Sequence, residues 1–193
     1  AAAPQERIAV PARALRAPAE GVQDFKQRLT DQKVIVQTLA AEQIPAAIVR
    51  ALEEARLPPK IRLGAEPFYD RLPWAGVPAL QRSKGAASPT TVAALSHALA
   101  GIAETGTLVL ASGENNPVTL TFLPDLHIVT VEERTIVGGL EDAFDVVRTR
   151  YGRGQMPRTL NLVSGASRTG DIGGQLVMGA HGPRTLVVLV VKS

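Results

Sequence analysis

The chain has 193 residues, of which 45% are hydrophobic and only 4% aromatic, so length and composition suit one medium-sized domain with an aliphatic core. The net charge of +3 comes from basic residues spread along the chain, and it does not predict a nucleic-acid-binding surface. The absence of cysteine excludes disulfides, a thiolate nucleophile, zinc–thiolate sites and an iron–sulfur cluster held by this chain's own thiolates.

The apolar runs are all shorter than a bilayer-spanning helix requires, and the N-terminal residues contain no signal-peptide core. These patterns predict a cytoplasmic protein without a membrane span. Residues 1–21 are rich in alanine and proline and have no sustained period, so we expect a mobile arm there. Residues 22–193 are expected to form a single domain.

In the first half of this domain, helical and strand patterns alternate. Apolar residues at helical spacing between Val22 and Leu29 predict a helix, and the β-branched run KVIVQTL predicts a strand. IPAAIVRALEEARL predicts a helix with proline in its first turn, and KIRLG predicts a strand. Residues 66–88 contain three prolines, so we expect a connecting segment with a helical turn.

The second half continues the alternation. HALAGIAETG predicts a short helix ending at Gly106, GGLEDAFDVVRTRYG predicts a longer helix, and VTLTF suits either a helix or a strand. The predicted strands are TTVAALS, TLVLAS, HIVTV and the buried runs TLNLVS and TLVVLVV. Strands that alternate with helices predict an α/β fold with a mainly parallel sheet and helices on both faces.

The stretch SGASRTGDIGG, Ser164 to Gly174, follows a predicted strand and precedes a short apolar pattern. A loop that leads into a helix beyond the carboxyl end of a strand offers unpaired backbone N–H groups to an anion. Hydroxyl, guanidinium, glycine and carboxylate residues of this loop are the candidate ligand contacts: Ser164, Gly165, Ser167, Arg168, Thr169 and Asp171. Alternatively, Thr169 or Asp171 caps the helix and Arg168 is solvated.

Two further bends carry candidate chemistry. In IAETGTLVL, Glu104 is a candidate general base or nucleophile, or else a surface residue beside a glycine that ends a helix. In GAHGPR, His181 and the adjacent Gly182 could bind an anion or move a proton, or they could fix a turn. The candidate ligand contacts of the first bend are Thr105, Gly106 and Thr107.

Taken in order, IAETGTLVL, LPDLHIVTV and SGASRTGDIGGQLVMGAHGP resemble the lactate utilisation protein C family, also called the LUD domain family. The sequence has Ala166 where that family usually has proline, and Gly173 where it usually has an acid. The resemblance implies a three-layer α/β/α fold with a mainly parallel sheet, like that of the sugar-phosphate isomerase and CoA-transferase superfamily.

The resemblance also implies a part in the oxidation of L-lactate to pyruvate beside partner proteins that include iron–sulfur subunits. Because this chain has no cysteine, we expect it to hold no cofactor and the clusters to sit on those partners. The three bends are then expected to meet at one edge of the sheet and bind a small anionic ligand. Two alternatives are a non-catalytic assembly subunit, and an enzyme acting on a sugar phosphate or acyl-CoA with Glu104 as nucleophile or base.

Overall fold

The structure is a computed structural model, and it describes residues 18–172 and 175–192. The helices are α1 (Pro18–Asp31), α2 (Ile44–Glu54), α3 (Pro67–Asp70), α4 (Thr119–Phe122) and α5 (Leu140–Tyr151). The strands are β1 (Ile35–Leu39), β2 (Lys60–Leu63), β3 (Gln81–Lys84), β4 (Ala93–His97), β5 (Ala100–Ile102), β6 (Thr107–Ala111), β7 (Leu126–Glu132), β8 (Ile136–Val137), β9 (Leu160–Val163), β10 (Arg168–Ile172), β11 (Gln175–Met178) and β12 (Thr185–Val191).

The main sheet has six strands in the order β1-β12-β7-β4-β2-β3, and every neighbouring pair is parallel. The predicted α/β class with a mainly parallel sheet is therefore confirmed. Successive side chains of a strand point to opposite faces, so Leu126 and Ile128 of β7 pack with α2, whereas Val129 and Val131 pack with α1. Burial on both faces explains why the central strands are continuous aliphatic runs.

A second sheet, β8-β5-β6-β9, lies on the α1 side and is covered in turn by α5. The helix predicted for HALAGIAETG is wrong, because this segment forms β5 and the turn into β6. Ala100, Gly101 and Ile102 are all buried, and a Cβ on Gly101 would lie 2.9 Å from the Phe25 ring. Packing on both sides of a short segment overrides the helical propensity of its alanines.

Strand β9 also differs in burial from the prediction for TLNLVS. It is the edge strand of the second sheet and pairs only with β6 among the described strands, and Leu162 is 48% exposed. Its apolar residues therefore mark a strand that is half-buried rather than fully buried. The ambiguous VTLTF forms the short helix α4.

The proline-rich segment 66–88 contains α3, a single 3-10 turn and the edge strand β3. All four β3 side chains are exposed, and two of them are cationic. Arg82 lies 4.5 Å from the centre of the Trp74 ring, and Lys84 pairs with Asp70. Of the expected N-terminal arm, residues 18–21 form the first turn of α1, and residues 1–17 lie outside the described part of the chain.

The helix expected after Ser164 is wrong, because Arg168–Ile172 and Gln175–Met178 pair as antiparallel strands β10 and β11. Two consecutive glycines separate these strands in the sequence, and this dipeptide favours a hairpin. An anion at this loop therefore gains nothing from a helix N-terminus, so any site must rely on hydroxyls and single amides.

Candidate functional site

The structure brings the three predicted bends together. Thr107 Oγ1 lies 2.7 Å from Thr105 Oγ1 and 2.7 Å from Ser164 Oγ, which joins the first bend to the second. The Ser167 amide donates to the Pro183 carbonyl at 2.8 Å, which joins the second bend to the third. We call residues 104–107, 164–168 and 179–183 the loop cluster.

The loop cluster lies at the amino ends of the central strands, not beyond their carboxyl ends as expected. Residues 179–183 directly precede β12, and the cluster lines one cavity with His127 and Leu186, each the second residue of its strand. The expectation failed because Ser164 follows β9, which belongs to the second sheet. A loop that follows β9 is therefore not placed at the carboxyl edge of the main sheet.

Two segments of the loop cluster, 164–168 and 179–183, contribute to the wall of a cavity of about 250 Å³, which we call the loop-cluster cavity. Hydroxyl, imidazole and glycine residues of the cluster line it: Ser164, Gly165, Ser167, His181 and Gly182. The remaining lining residues are Thr121, Phe122, His127, Leu162, Val163, Pro183 and Leu186. Among these described residues none carries a carboxylate, so the cavity presents no fixed negative charge to an anion.

Thr121 is a lining residue that the sequence analysis missed. It is 3% exposed, and within the described part of the chain its Oγ1 has no hydrogen-bond partner. A buried hydroxyl without a partner costs about 1–3 kcal/mol, and such groups often mark a site where water or a ligand completes the bonding. The alternating hydroxyls of VTLTF were the available signal.

His127 forms the floor of the cavity in a neutral state. It is 1% exposed, and its Nε2 lies 2.9 Å from Ser96 Oγ on the neighbouring strand β4. Burial lowers the pKa of this imidazole to about 3, because the charged form would lose its hydration without gaining a carboxylate partner. His127 therefore contributes shape and a dipole rather than a positive charge.

Several predicted residues do not line the loop-cluster cavity. The guanidinium of Arg168 donates to the Gln32 carbonyl at the end of α1. Gly106 has a φ of +65°, and a Cβ there would lie 2.6 Å from the Cβ of Arg28, so this glycine allows the bend to pack against α1. Glu104, Thr105 and Thr107 are not among the lining residues, although Thr107 bonds to the lining residue Ser164.

Two more predicted residues belong to the hairpin. Thr169 pairs with Val177 in the β10–β11 ladder and has further interactions of its own. The backbone of Asp171 is part of β10, and its side chain lies outside the described part of the structure.

The backbone amides of the loop cluster are partly committed. The Gly106 amide donates to Ile102, the Ser167 amide to Pro183 and the Gly179 amide to Ser167. Within the described residues, the amides of Gly165 and Gly182 make no hydrogen bond. Gly165 and Gly182 line the cavity, so their amides are backbone donors available to a ligand there.

Among the described helices, none combines the length and apolar character needed to cross a bilayer. In the same part of the chain, no three histidine or acidic side chains are grouped closely enough to hold a metal ion.

Comparison with known families gives a match to the LUD domain over residues 26–191. The chain belongs to the LUD domain family. The resemblance of its C-terminal motifs to this family is therefore confirmed, and the match extends into the N-terminal half. The matched residues include all strands of the main sheet and the whole loop cluster.

Among relatives of this LUD domain, "Lactate utilization protein C" of Deinococcus radiodurans is 31% identical over 182 residues, which is 90% of this chain and 80% of that protein. "Lactate utilization protein C" of Bacillus subtilis is 33% identical over 92 residues, covering 47% of this chain and 38% of that protein. The chain thus spans most of the first relative, but its match covers less than half the length of the second.

The fold is similar to the crystal structure of a DUF162 family protein from Deinococcus radiodurans, with a TM-score of 0.67 and 25% identity. The similarity covers 92% of this chain and 99% of that one. This LUD domain therefore shares its overall fold with a solved structure.

Proposed function

We propose that this LUD domain protein is a component of an L-lactate utilisation system and that its loop-cluster cavity binds a small carboxylate. Relatives named lactate utilization protein C support the first half of this proposal. The observation that carries the second half is that Thr121, whose buried hydroxyl has no partner among the described residues, lines a cavity whose described lining has no carboxylate.

A carboxylate needs several hydrogen-bond donors, because burying it without them costs several kcal/mol. The Thr121 hydroxyl and the amides of Gly165 and Gly182 are donors without partners among the described residues. The hydroxyls of Ser164 and Ser167 line the same space. About 250 Å³ suits a ligand with few heavy atoms, such as a three-carbon acid.

Oxidation of L-lactate to pyruvate removes two electrons and two protons. His181 lines the cavity and can accept a proton from the ligand, whereas Glu104 lies outside the lining. In this proposal the two electrons pass to iron–sulfur clusters and the second proton passes to solvent. The clusters belong to partner proteins, because this chain has no cysteine thiolate to hold one. His181 is therefore the acid–base residue of the proposal, and Glu104 is not.

A second candidate function is a docking subunit without chemistry of its own. Phe122 and Leu162 both line the cavity and are 46% and 48% exposed, so the cavity mouth has an apolar rim. Contiguous exposed apolar surface marks sites of protein–protein interaction, and these two side chains lie at the same cavity. An iron–sulfur partner docked here would cover the rim whether or not the cavity holds a ligand.

The first prediction separates these functions by thermal unfolding of the purified protein with L-lactate or pyruvate. A ligand at a hundred times its Kd should stabilise the wild type by about 2.7 kcal/mol, which is roughly 5–10 °C for a chain of this length. Thr121→Val removes the donor but keeps the shape, so we expect it to abolish the ligand-induced shift.

Thr38→Val is the matched control. Thr38, on β1, also has a buried hydroxyl with no partner among the described residues, and it does not line the loop-cluster cavity. Both valine variants should be at least as stable as the wild type without ligand, but only Thr38→Val should keep the shift. An equal shift in both variants contradicts carboxylate binding at Thr121. A wild type that responds to neither acid but co-purifies with an iron–sulfur protein supports the docking function.

A further inference from the structure

A second cavity, of about 240 Å³, lies at the opposite end of the main sheet. It is lined by His97, the last residue of β4, and by Glu66, which follows the end of β2. We call it the carboxyl-end cavity, because the carboxyl ends of parallel strands meet there. Ligands of open α/β sheets commonly bind at this edge.

Hydrogen bonding to Thr130 determines the tautomer of His97. Thr130 Oγ1 lies 2.9 Å from His97 Nδ1, 3.1 Å from the Tyr69 hydroxyl and 3.3 Å from the Ser96 carbonyl oxygen. A carbonyl can only accept, so Thr130 donates its one proton to Ser96. The Tyr69 hydroxyl and the His97 Nδ1–H therefore donate to Thr130, and a neutral His97 presents an unprotonated Nε2.

Burial favours the uncharged forms of both groups that donate to Thr130, the Tyr69 hydroxyl and the His97 imidazole. Burial raises the pKa of the Tyr69 hydroxyl well above its usual value, so it stays protonated. Burial also lowers the pKa of His97, although the nearby carboxylates of Glu66 and Glu132 oppose that shift. Within the described residues, Nε2 of His97 makes no hydrogen bond, so this atom of a cavity-lining residue is available to accept one.

Asn116 supplies a second unpaired acceptor in this cavity. It is 7% exposed, and its Nδ2 donates to the Ala111 carbonyl at 3.3 Å. In the described part of the chain its Oδ1 is buried without a partner. The loop that carries Asn116 packs closely against the end of β2. A Cβ on Gly64 would lie only 1.9 Å from the Asn115 carbonyl oxygen.

The charged side chains that line the cavity also include more acceptors than donors of opposite charge. Glu66 and Glu114 contribute two carboxylates, and Arg150 contributes one guanidinium, so the lining is acceptor-rich with a net charge of about −1 at neutral pH. A carboxylate or phosphate ligand would be repelled by two of these three groups. A neutral ligand with several hydroxyl donors would satisfy the acceptors without that cost.

We propose that the carboxyl-end cavity binds a small neutral polyhydroxylated molecule, whose hydroxyl groups donate to His97 Nε2 and Asn116 Oδ1. The site is independent of the proposed lactate function, because the loop-cluster cavity lies at the amino ends of the strands. It also differs from that cavity in chemistry, with acceptors where the loop cluster offers donors.

The test is a titration of the full chain with xylitol and sorbitol, followed by ligand-observed NMR. We expect the wild type to bind at least one of these polyols, and Asn116→Leu and His97→Phe each to weaken binding by tenfold or more. Thr38→Val is the matched control for loss of an unpartnered polar atom, and it should bind as the wild type does. A melting curve for each variant establishes that it is folded.

Three outcomes would overturn the proposal: no polyol binding by the wild type, unchanged affinity in both cavity variants, or an equal loss in Thr38→Val. If one cavity variant does not fold, the other still decides the question. Thr121→Val should leave polyol affinity unchanged, and Asn116→Leu should leave the response to L-lactate unchanged. These two measurements distinguish a failure of the polyol proposal from a failure of the carboxylate proposal.

Discussion

Acidification from pH 7 to pH 4 should lower the free energy of unfolding by about 3 kcal/mol through His127 alone. In the folded protein this imidazole is 1% exposed and has a pKa of about 3, whereas an unfolded histidine titrates near 6.5. Between these two values the unfolded chain binds a proton that the folded chain does not. Stability is therefore complete above pH 6.5 and is lost as the pH falls, by about 1.4 kcal/mol per unit.

Urea unfolding at a series of pH values from 7 to 4 measures this effect. His127→Gln cannot gain a proton, so its stability should depend less steeply on pH than that of the wild type over this range. His181→Gln, which makes the same substitution at an exposed histidine, is the control for the effect of the substitution itself. Parallel slopes for the wild type and His127→Gln would show that His127 is not held neutral. The lowered pKa of His97 adds a contribution of the same sign.

Gly64→Ala should destabilise the protein by about 3 kcal/mol, at the upper end of the cost of overpacking. A Cβ at this position would lie 1.9 Å from the Asn115 carbonyl oxygen and 2.5 Å from its carbonyl carbon. Both contacts are with backbone, so no side-chain rotation can relieve them. The loop must instead move away from β2, which would also break the hydrogen bond from the Ala65 amide to the Glu114 carbonyl.

The matched control is Gly113→Ala, in the same loop. A Cβ there meets nothing within 4 Å, so we expect a change in stability within about 0.5 kcal/mol. Thermal unfolding should place Gly64→Ala roughly 6–12 °C below the wild type and Gly113→Ala close to it. Similar melting temperatures for the two variants would mean that the loop does not rest against β2.

The main sheet could be predicted because its strands are short aliphatic runs separated by prolines, glycines and amphipathic helices. KVIVQTL, HIVTV and TLVVLVV form β1, β7 and β12, and IPAAIVRALEEARL forms α2. The second sheet could not be predicted in the same way. Its strand β5 has three residues of small or mixed propensity, and pairing with β6 and β8 together with the Phe25 ring packed against Gly101 makes a strand favourable there.

The meeting of the three bends could be predicted from motif order, but the chemistry of each residue could not. Arg168 has the side chain expected of an anion ligand, yet its guanidinium bonds to the Gln32 carbonyl, a partner 136 residues away in the sequence. Apart from the alternating hydroxyls of VTLTF, no sequence pattern distinguishes Thr121 and Asn116 from other polar residues. Their importance follows from burial without a partner, which depends on tertiary packing.

Strand β3 ends one side of the main sheet with Arg82 above Trp74 and Lys84 paired to Asp70. Cationic side chains fixed along an open strand discourage a further strand from adding there, which protects against amyloid-like association. Replacing both cations with β-branched apolar residues would remove this protection at little cost to the fold. At high protein concentration, insoluble aggregates would then grow from that side of the molecule.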